Sequence, residues 1–152
     1  MRWSLLFALV AVVGCGASAV EVARGTLTTA ATATVQADKL FADAYEVHAD
    51  NARASSSTQV EKDAKMADWT QAAAEMERAL RAVQASLVAA EVALDGFERT
   101  GEAGYYEEAI ACAAETLRQM ARVLEERGLK TPPALAKVLA LSKGLVCAES
   151  VR

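Results

Sequence analysis

Cysteine and histidine side chains have the widest chemical scope in this sequence. The chain carries three cysteines and one histidine, namely Cys15, Cys112, Cys147 and His48. A nucleophile activated by histidine could be built only around His48, and no Gly-x-Ser-x-Gly motif accompanies it. The sequence also lacks Glu-x-x-His motifs for a di-iron bundle and Cys-x-x-Cys motifs for redox chemistry. We therefore expect no catalytic residues, no metal site, no cofactor and no enzyme activity.

One alternative gives His48 a ligand role. A b-type haem could be held in a helical bundle by His48 and one of three methionines, Met66, Met76 or Met120. Met side chains at helical spacing more often fill a hydrophobic core. We therefore interpret His48 as a polar residue near a helix end and the methionines as core residues.

The first fifteen residues have the three parts of an export leader. A positive charge at Arg2 is followed by an apolar stretch over residues 3–13 and then by small residues. As a helix, eleven apolar residues are about 16 Å long, roughly half of a ~30 Å hydrocarbon core. The segment is therefore too short to span a bilayer well by itself.

The stretch Val12-Val13-Gly14-Cys15 resembles the lipobox of bacterial lipoprotein precursors. The resemblance covers residues 1–15 only. It implies that residues 1–14 are a signal peptide cut away before Cys15, and that the Cys15 sulfur carries a diacylglyceryl group that anchors the chain to a membrane. Gly16 replaces the Asp that retains such proteins in the inner membrane of enteric bacteria. The family rule then favours the periplasmic face of the outer membrane in a Gram-negative host.

Two other fates of the leader stay open. Ala17-Ser18-Ala19 is an A-x-A site at which the general signal peptidase would cut and discard Cys15. Residues 3–20 form an uncharged stretch that could serve as an uncleaved anchor.

Charge and composition limit the class of partner. The net charge of the chain is −4 and becomes −5 when residues 1–14, with one arginine, are removed. A negative net charge is not typical of a nucleic-acid-binding protein, which needs basic residues to contact phosphates. Aromatic residues make up 5% of the chain, so the core should consist of Ala, Leu and Val. We expect a tether over residues 15–26 and one helical domain over residues 27–152.

The first helix of this domain is predicted from about Leu27 to about Asp50. Thr-rich sequence makes its start uncertain, because threonine is a weak helix former. The Ser-rich stretch over residues 50–58 has no periodic apolar positions and marks a break. The predicted inner face consists of Ala30, Ala33, Ala37, Leu40, Ala44 and Val47.

A long helix of about forty residues is predicted next. Thr58 and Glu61 form a capping box, in which each side chain accepts a hydrogen bond from a free backbone N–H group. Apolar residues then recur at alternating steps of three and four, which is the 3.5-residue period of a coiled-coil seam. Gly101 and Gly104 should end the helix. The seam consists of Met66, Trp69, Ala73, Met76, Leu80, Val83, Leu87, Ala90, Leu94 and Phe97.

Two shorter helices complete the predicted fold. One carries an apolar stripe from Tyr106 to Leu124 and ends at Gly128, a residue suited to the left-handed position after a helix. The last is expected to begin with Thr131 as its cap and Pro132 in its first turn. No segment alternates with period two, so the sequence predicts an all-α antiparallel bundle or long helical hairpin of about four helices.

Cys112 and Cys147 are predicted to form a disulfide between the last two helices. An exported chain meets oxidising conditions, and lipid on Cys15 would leave an even number of thiols. The two residues lie at similar distances from a turn near residue 130, so they should be level across an antiparallel hairpin. Two small buried thiols on neighbouring helices are the alternative.

The functional expectation is a lipid-anchored cell-envelope protein without enzyme activity, which serves as scaffold, adaptor or accessory subunit of an envelope complex. This class includes small lipoproteins of phage origin. Its partners would be the membrane, through the lipid, and an envelope protein or a second copy, with no nucleic acid. The alternative is a periplasmic helical bundle that binds haem, metal or an apolar ligand.

Overall fold

The computed structural model describes residues 19–101 and 104–147 of the chain. Four helices pack antiparallel and this part of the chain contains no β-strand, so the predicted all-α bundle is confirmed. The predicted signal peptide and Cys15 lie outside the described residues. None of the helices described is both long and apolar enough to cross a bilayer. The helices are α1 (Ala19–Ala54), α2 (Gln59–Thr100), α3 (Gly104–Glu126) and α4 (Pro133–Leu141).

Both predicted ends of the long helix α2 are confirmed. The Thr58 hydroxyl accepts a hydrogen bond from the Glu61 backbone N–H at 3.2 Å, and Glu61 Oε2 accepts one from the Thr58 N–H at 3.3 Å. At the other end Gly101 has a φ of 74°, in the left-handed region where glycine is favoured. Its N–H donates to the Phe97 carbonyl at 2.8 Å. The capping box and one glycine therefore delimit a helix of 42 residues.

The apolar seam of α2 lies in the centre of the fold. All ten predicted seam positions are buried or half-buried, Val83 completely and its neighbours Leu80 and Leu87 partly. Ala72 and Ala79 beside the seam are also buried, because α2 contacts both α1 and α3. The main core takes residues from all four helices: Ala30, Ala33, Ala37, Phe41, Ala72, Met76, Ala79, Val83, Leu117, Met120, Ala121, Val123, Leu124, Leu135 and Val138.

The start of α1 differs from the prediction. The helix begins at Ala19, so residues 19–26, expected to belong to a flexible tether, are helical. The threonine hydroxyls donate to the carbonyl four residues earlier, as Thr26 does to Val22 at 3.0 Å and Thr34 to Ala30 at 2.9 Å. These bonds occupy hydroxyl groups that would otherwise compete with the helix for backbone partners.

An ion pair fastens the first turns of α1 to the end of α2. One Nη atom of Arg24 lies 2.7 Å from an Asp95 carboxylate oxygen and 2.6 Å from a Glu98 carboxylate oxygen. Ala23, next to Arg24, is buried. This tertiary contact accounts for helix in a stretch whose local propensity is weak.

The inner face of α1 also departs from the prediction in its second half. Val47, expected inside, is 62% exposed. Phe41, Ala49 and Ala52 are buried instead. A strict 3.5-residue repeat drifts around a straight helix of 3.6 residues per turn, so positions extrapolated from Ala30 leave the contact face. The buried face of this part of α1 is instead the one that carries Phe41, whose ring packs against Trp69 of α2.

The turn between α3 and α4 is made by a Schellman motif. The Gly128 N–H donates to the Glu125 carbonyl at 2.9 Å and the Leu129 N–H to the Leu124 carbonyl at 2.9 Å. The predicted Thr131 cap is wrong: Pro132 is the N-cap of α4 and makes no side-chain cap bond. The Thr131 hydroxyl donates to Glu125 Oε1 at 3.2 Å, back across the turn. Pro132 has a ψ of 141°, the extended backbone favoured for a residue that precedes a proline, so the helix starts one residue later, at Pro133.

The end of the α1–α2 hairpin is a two-helix segment, which we call the hairpin tip (residues 45–72). A separate small core of Ala49, Ala52 and Met66 lies there and comes from α1 and α2 alone. Tyr106 of α3 stacks on Phe97 of α2 at 5.6 Å between ring centroids. From that register the C-terminal end of antiparallel α3 reaches only to about the middle of α2, so the small core of Ala49, Ala52 and Met66 lies beyond it.

Matched substitutions on α2 test which side of the helix is inside. Leu87 packs against the main core, whereas the adjacent Val88 is 61% exposed. We expect Leu87→Asp to lower the free energy of unfolding by roughly 2–4 kcal/mol, because it places a charge in an apolar contact. Val88→Asp should change it by less than about 0.5 kcal/mol. Equal urea-denaturation curves for the two variants would contradict the observed packing.

Acid should weaken the start of α2. Hydrogen bonds from the Ser57 hydroxyl and backbone N–H, and then from the Thr58 N–H, lower the pKa of Glu61 below its ordinary value of 4.5. A carboxylate with a lowered pKa stabilises the fold above its unfolded pKa, and this contribution is lost as the pH falls through the folded pKa. We expect the protection factor of the Glu61 amide against hydrogen exchange to fall as the pH drops below 4.5 and through the folded pKa. Glu61→Gln, which can cap but does not titrate, should show no such acid transition in this amide.

Candidate functional site

The predicted pair Cys112 and Cys147 is joined by a disulfide, with the two Cα atoms 4.5 Å apart. Its position differs from the prediction in one respect. Helix α4 ends at Leu141, so the bridge joins α3 to the segment that follows α4 and not to α4 itself. We call this segment the C-terminal strap (residues 142–147). Cys112 is half-buried and Cys147 is 6% exposed.

Arg118 of α3 holds the same strap by hydrogen bonds. One Nη atom donates to the Ser142 carbonyl at 2.9 Å and to the Leu145 carbonyl at 3.0 Å. The other Nη atom lies 2.8 Å from Glu115 Oε2, which orients the guanidinium group. Because the Arg118 side chain is only 29% exposed, solvent screens these contacts less than those of a surface arginine.

Part of this arrangement, the placement of three side chains along one side of α3, is visible in the sequence. Cys112, Glu115 and Arg118 follow one another at steps of three, which places them along one side of a helix. Nothing in that spacing shows that the arginine would donate to backbone carbonyls of a segment beyond α4. An open depression of about 450 Å³ adjoins them, lined by Glu115, Arg118, Ala121, Arg122, Glu125 and Leu139.

A small apolar cleft lies beside α4 and the strap. Its volume is about 70 Å³, which corresponds to roughly five water molecules. No charged side chain lines it, and its only polar side chains are those of Thr26 and Ser142. A single hydrocarbon segment matches this lining better than a polar ligand does. The other lining residues are Leu27, Ala30, Leu87, Ile110, Ala113, Ala114, Leu117, Val138, Leu141 and Leu145.

His48 lies in the hairpin tip among aromatic side chains. Its ring stacks on Trp69 with 5.1 Å between centroids, and Nε2 is 3.3 Å from the Lys65 carbonyl oxygen. Phe41 and Tyr45 complete the aromatic cluster around Trp69. The position of His48 near the end of α1 agrees with the sequence interpretation. Within the described ranges, no three His, Cys, Asp or Glu side chains are grouped so as to hold a metal ion.

The three methionines considered as haem ligands are core residues. Met76 and Met120 are buried in the main core, and Met66 is buried in the small core of the tip. Neither the depression nor the apolar cleft is lined by His48 or by a methionine. The sequence interpretation of these methionines as core fillers therefore agrees with their burial.

An apolar surface runs along the side of α2 that faces away from the core. Val88 and Val92 are 61% and 63% exposed, and Ala85 and Ala89 beside them are also exposed. Steps of three and four place these four residues on one side of the helix, which we call the outer face. The sequence pattern does not predict this outer face, because the periodic apolar positions of α2 belong to the seam.

Comparison with known proteins gives no further assignment. No family model, no curated protein and no solved structure matches this chain. The geometry described above is therefore the basis for any function proposed.

Removal of the disulfide should destabilise the fold. Closing a loop with a sequence separation of 35 residues stabilises the folded state by about 4 kcal/mol in the chain-entropy model. We expect the double variant Cys112→Ser/Cys147→Ser to lose about that free energy in urea denaturation. Reductant should produce the same loss in the unmodified chain and none in the variant. Free thiols at both positions in a non-reducing peptide map of exported protein would contradict the bond.

Proposed function

We propose that the protein is a lipid-anchored component of the bacterial cell envelope that acts as a scaffold, adaptor or accessory subunit and not as an enzyme. The observation that carries the proposal is the Cys112–Cys147 disulfide. Such bonds persist mainly in oxidising compartments outside the cytoplasm. The leader over residues 1–14 supplies the export route, and the lipobox-like sequence supplies the anchor at Cys15.

The start of α1 at Ala19 supports a position for the proposed anchor. Cys15 precedes the start of α1 at Ala19 by four residues, and Arg24 ties that end of α1 to the end of α2. The lipid would therefore attach at the end of the bundle opposite the hairpin tip. Because α2 has 42 residues, about 63 Å at 1.5 Å per residue, the tip can extend far from the membrane surface.

The outer face of α2 is the proposed contact surface for an envelope protein or a second copy of the chain. The seam of α2 is already covered by α1 and α3 and is not free for a partner. Val88 and Val92 provide apolar contact area on the free side. A row of exposed apolar side chains on a helix is a typical interaction surface. The acidic balance of the chain argues against a nucleic acid as the partner.

The second candidate is a periplasmic binding protein for an apolar ligand, and the apolar cleft favours it. Its lining of aliphatic side chains from all four helices and the strap would suit a hydrocarbon chain. Mass spectrometry of protein purified from the native envelope distinguishes the two functions. A stoichiometric apolar molecule supports the binding protein, and a co-purified envelope protein supports the scaffold.

The lipid anchor is tested by intact-mass analysis of protein extracted from membranes. We expect loss of residues 1–14 and an added mass from acyl groups on Cys15. Cys15→Ser should abolish both changes, because the modified sulfur is then missing. A mature chain that begins at Val20 would show cleavage after Ala19 and would refute the anchor.

The contact surface is tested by photo-crosslinking in the native envelope. A photoreactive residue at Val88 or Val92 should give a crosslinked species of higher mass. The control is Val60, a valine that is 78% exposed but is followed directly by charged Glu61 and Lys62. Val88→Asp should remove the species formed from position 92 without altering the fold. Equal crosslinking from Val60 would show that the outer face has no specific partner.

A further inference from the structure

The C-terminal strap forms one wall of the apolar cleft. Ser142 and Leu145 of the strap line it together with Val138 and Leu141 of α4. The opposite walls come from α1, α2 and α3, with Leu87 and Leu117 among the largest apolar side chains there. Movement of the strap would therefore open the cleft without displacing the three long helices.

Hydrogen bonds to α4 hold the first two residues of the strap: the Ser142 N–H donates to the Val138 carbonyl at 3.0 Å, the Ser142 hydroxyl to the Leu139 carbonyl at 3.2 Å, and the Lys143 N–H to the Ala140 carbonyl at 3.4 Å. The strap has no regular secondary structure beyond a turn in which the Leu145 N–H donates to the Ser142 carbonyl at 3.1 Å. Arg118 donates to the carbonyls of Ser142 and Leu145, and Cys147 is bonded to Cys112. Val146, between these attachments, is 69% exposed. The disulfide is the covalent attachment at the far end of the strap.

We propose that the strap is a redox-controlled lid on the apolar cleft, closed by the Cys112–Cys147 disulfide and released when that bond is reduced. The proposal concerns the described domain and does not depend on lipid at Cys15. It assigns the disulfide a second role beside stabilisation, since the strap can move only when the bond at its end is broken.

The reductant is a dithiol of the kind carried by thiol–disulfide oxidoreductases. Its thiolate attacks Cys112 Sγ, because Cys112 is half-buried whereas Cys147 is almost fully buried. The S–S bond breaks, a mixed disulfide forms on Cys112, and the Cys147 thiolate leaves and takes up a proton. The second thiol of the reductant then attacks the mixed disulfide and releases the Cys112 thiolate, which is protonated. The protein gains two electrons and two protons, and the dithiol becomes a disulfide.

After reduction no covalent bond joins the strap to α3, and the hydrogen bonds from Arg118 to the Ser142 and Leu145 carbonyls are non-covalent contacts. Hydrogen bonds from one guanidinium group open and close far more readily than a covalent bond breaks. Opening moves Leu145 away and brings water to Leu117 and Ile110 on α3. The reduced form therefore offers an apolar surface that the oxidised form covers.

Hydrogen exchange and proteolysis of the full chain test the lid. With a dithiol reductant, we expect the protection factor of the Leu145 amide to fall at least tenfold below those of amides in the middle of α2, whose own protection falls only as far as the loss of global stability requires. Trypsin should cut after Lys143, an exposed strap residue, in the reduced form and at least tenfold more slowly in the oxidised form. The variant Cys112→Ser/Cys147→Ser should behave like the reduced form without added reductant.

Two arginine variants separate the lid from a general loss of structure. Arg118→Ala should accelerate Leu145 exchange further in the reduced form, because it removes the two hydrogen bonds from α3 to the strap carbonyls. Arg122→Ala is the matched control, since Arg122 pairs with the same Glu115 but makes no bond to the strap. Unchanged Leu145 exchange after reduction would overturn the proposal by showing that the bond is not needed for closure. Equal protection factors for the Leu145 amide and the α2 amides after reduction would overturn it as well, by showing that the strap opens only when the whole fold unfolds.

Discussion

Burial of the apolar seam of α2 is the interaction on which the rest of the fold depends. A helix of 42 residues with one continuous apolar side needs partners along its length, and α1 and α3 both supply them. Helix α1 follows the seam from the Arg24–Asp95 pair to the stacked rings of His48 and Trp69. Helix α3 covers only the second half. Beyond the end of α3, the corresponding side of α2 carries the exposed charged residues Asp68 and Lys65. A polar surface there is compatible with exposure of the tip to solvent.

Features that depend on local chemistry were predictable from the sequence. The capping box at Thr58, the left-handed glycines at 101 and 128, and the seam of α2 each need only a few neighbouring residues to specify them. The pairing of Cys112 with Cys147 was also predictable, because the two cysteines lie at similar distances from a short turn that joins antiparallel segments. Of the candidate site, only these cysteines could be predicted in this way.

Features that depend on contacts between distant residues were not predictable. The early start of α1 rests on Arg24 meeting carboxylates about seventy residues away, and local threonine propensity gave the opposite indication. The Arg118 contacts with the strap join residues 24 and 27 positions apart. Contacts over such separations leave no local pattern in the sequence from which they could be predicted.

The placement of tryptophan gives the tip its own optical signature. The sequence has two tryptophans, Trp3 in the leader and Trp69 in the hairpin tip. Once the leader is removed as proposed, the one indole left lies 5.8 Å from the Phe41 ring and 5.1 Å from the His48 ring. Intrinsic fluorescence of the mature chain then reports the surroundings of Trp69, where the tip adjoins the main core, whereas far-ultraviolet circular dichroism reports all four helices. A fluorescence melt with a lower midpoint than the dichroism melt would measure fraying of the tip before the bundle unfolds.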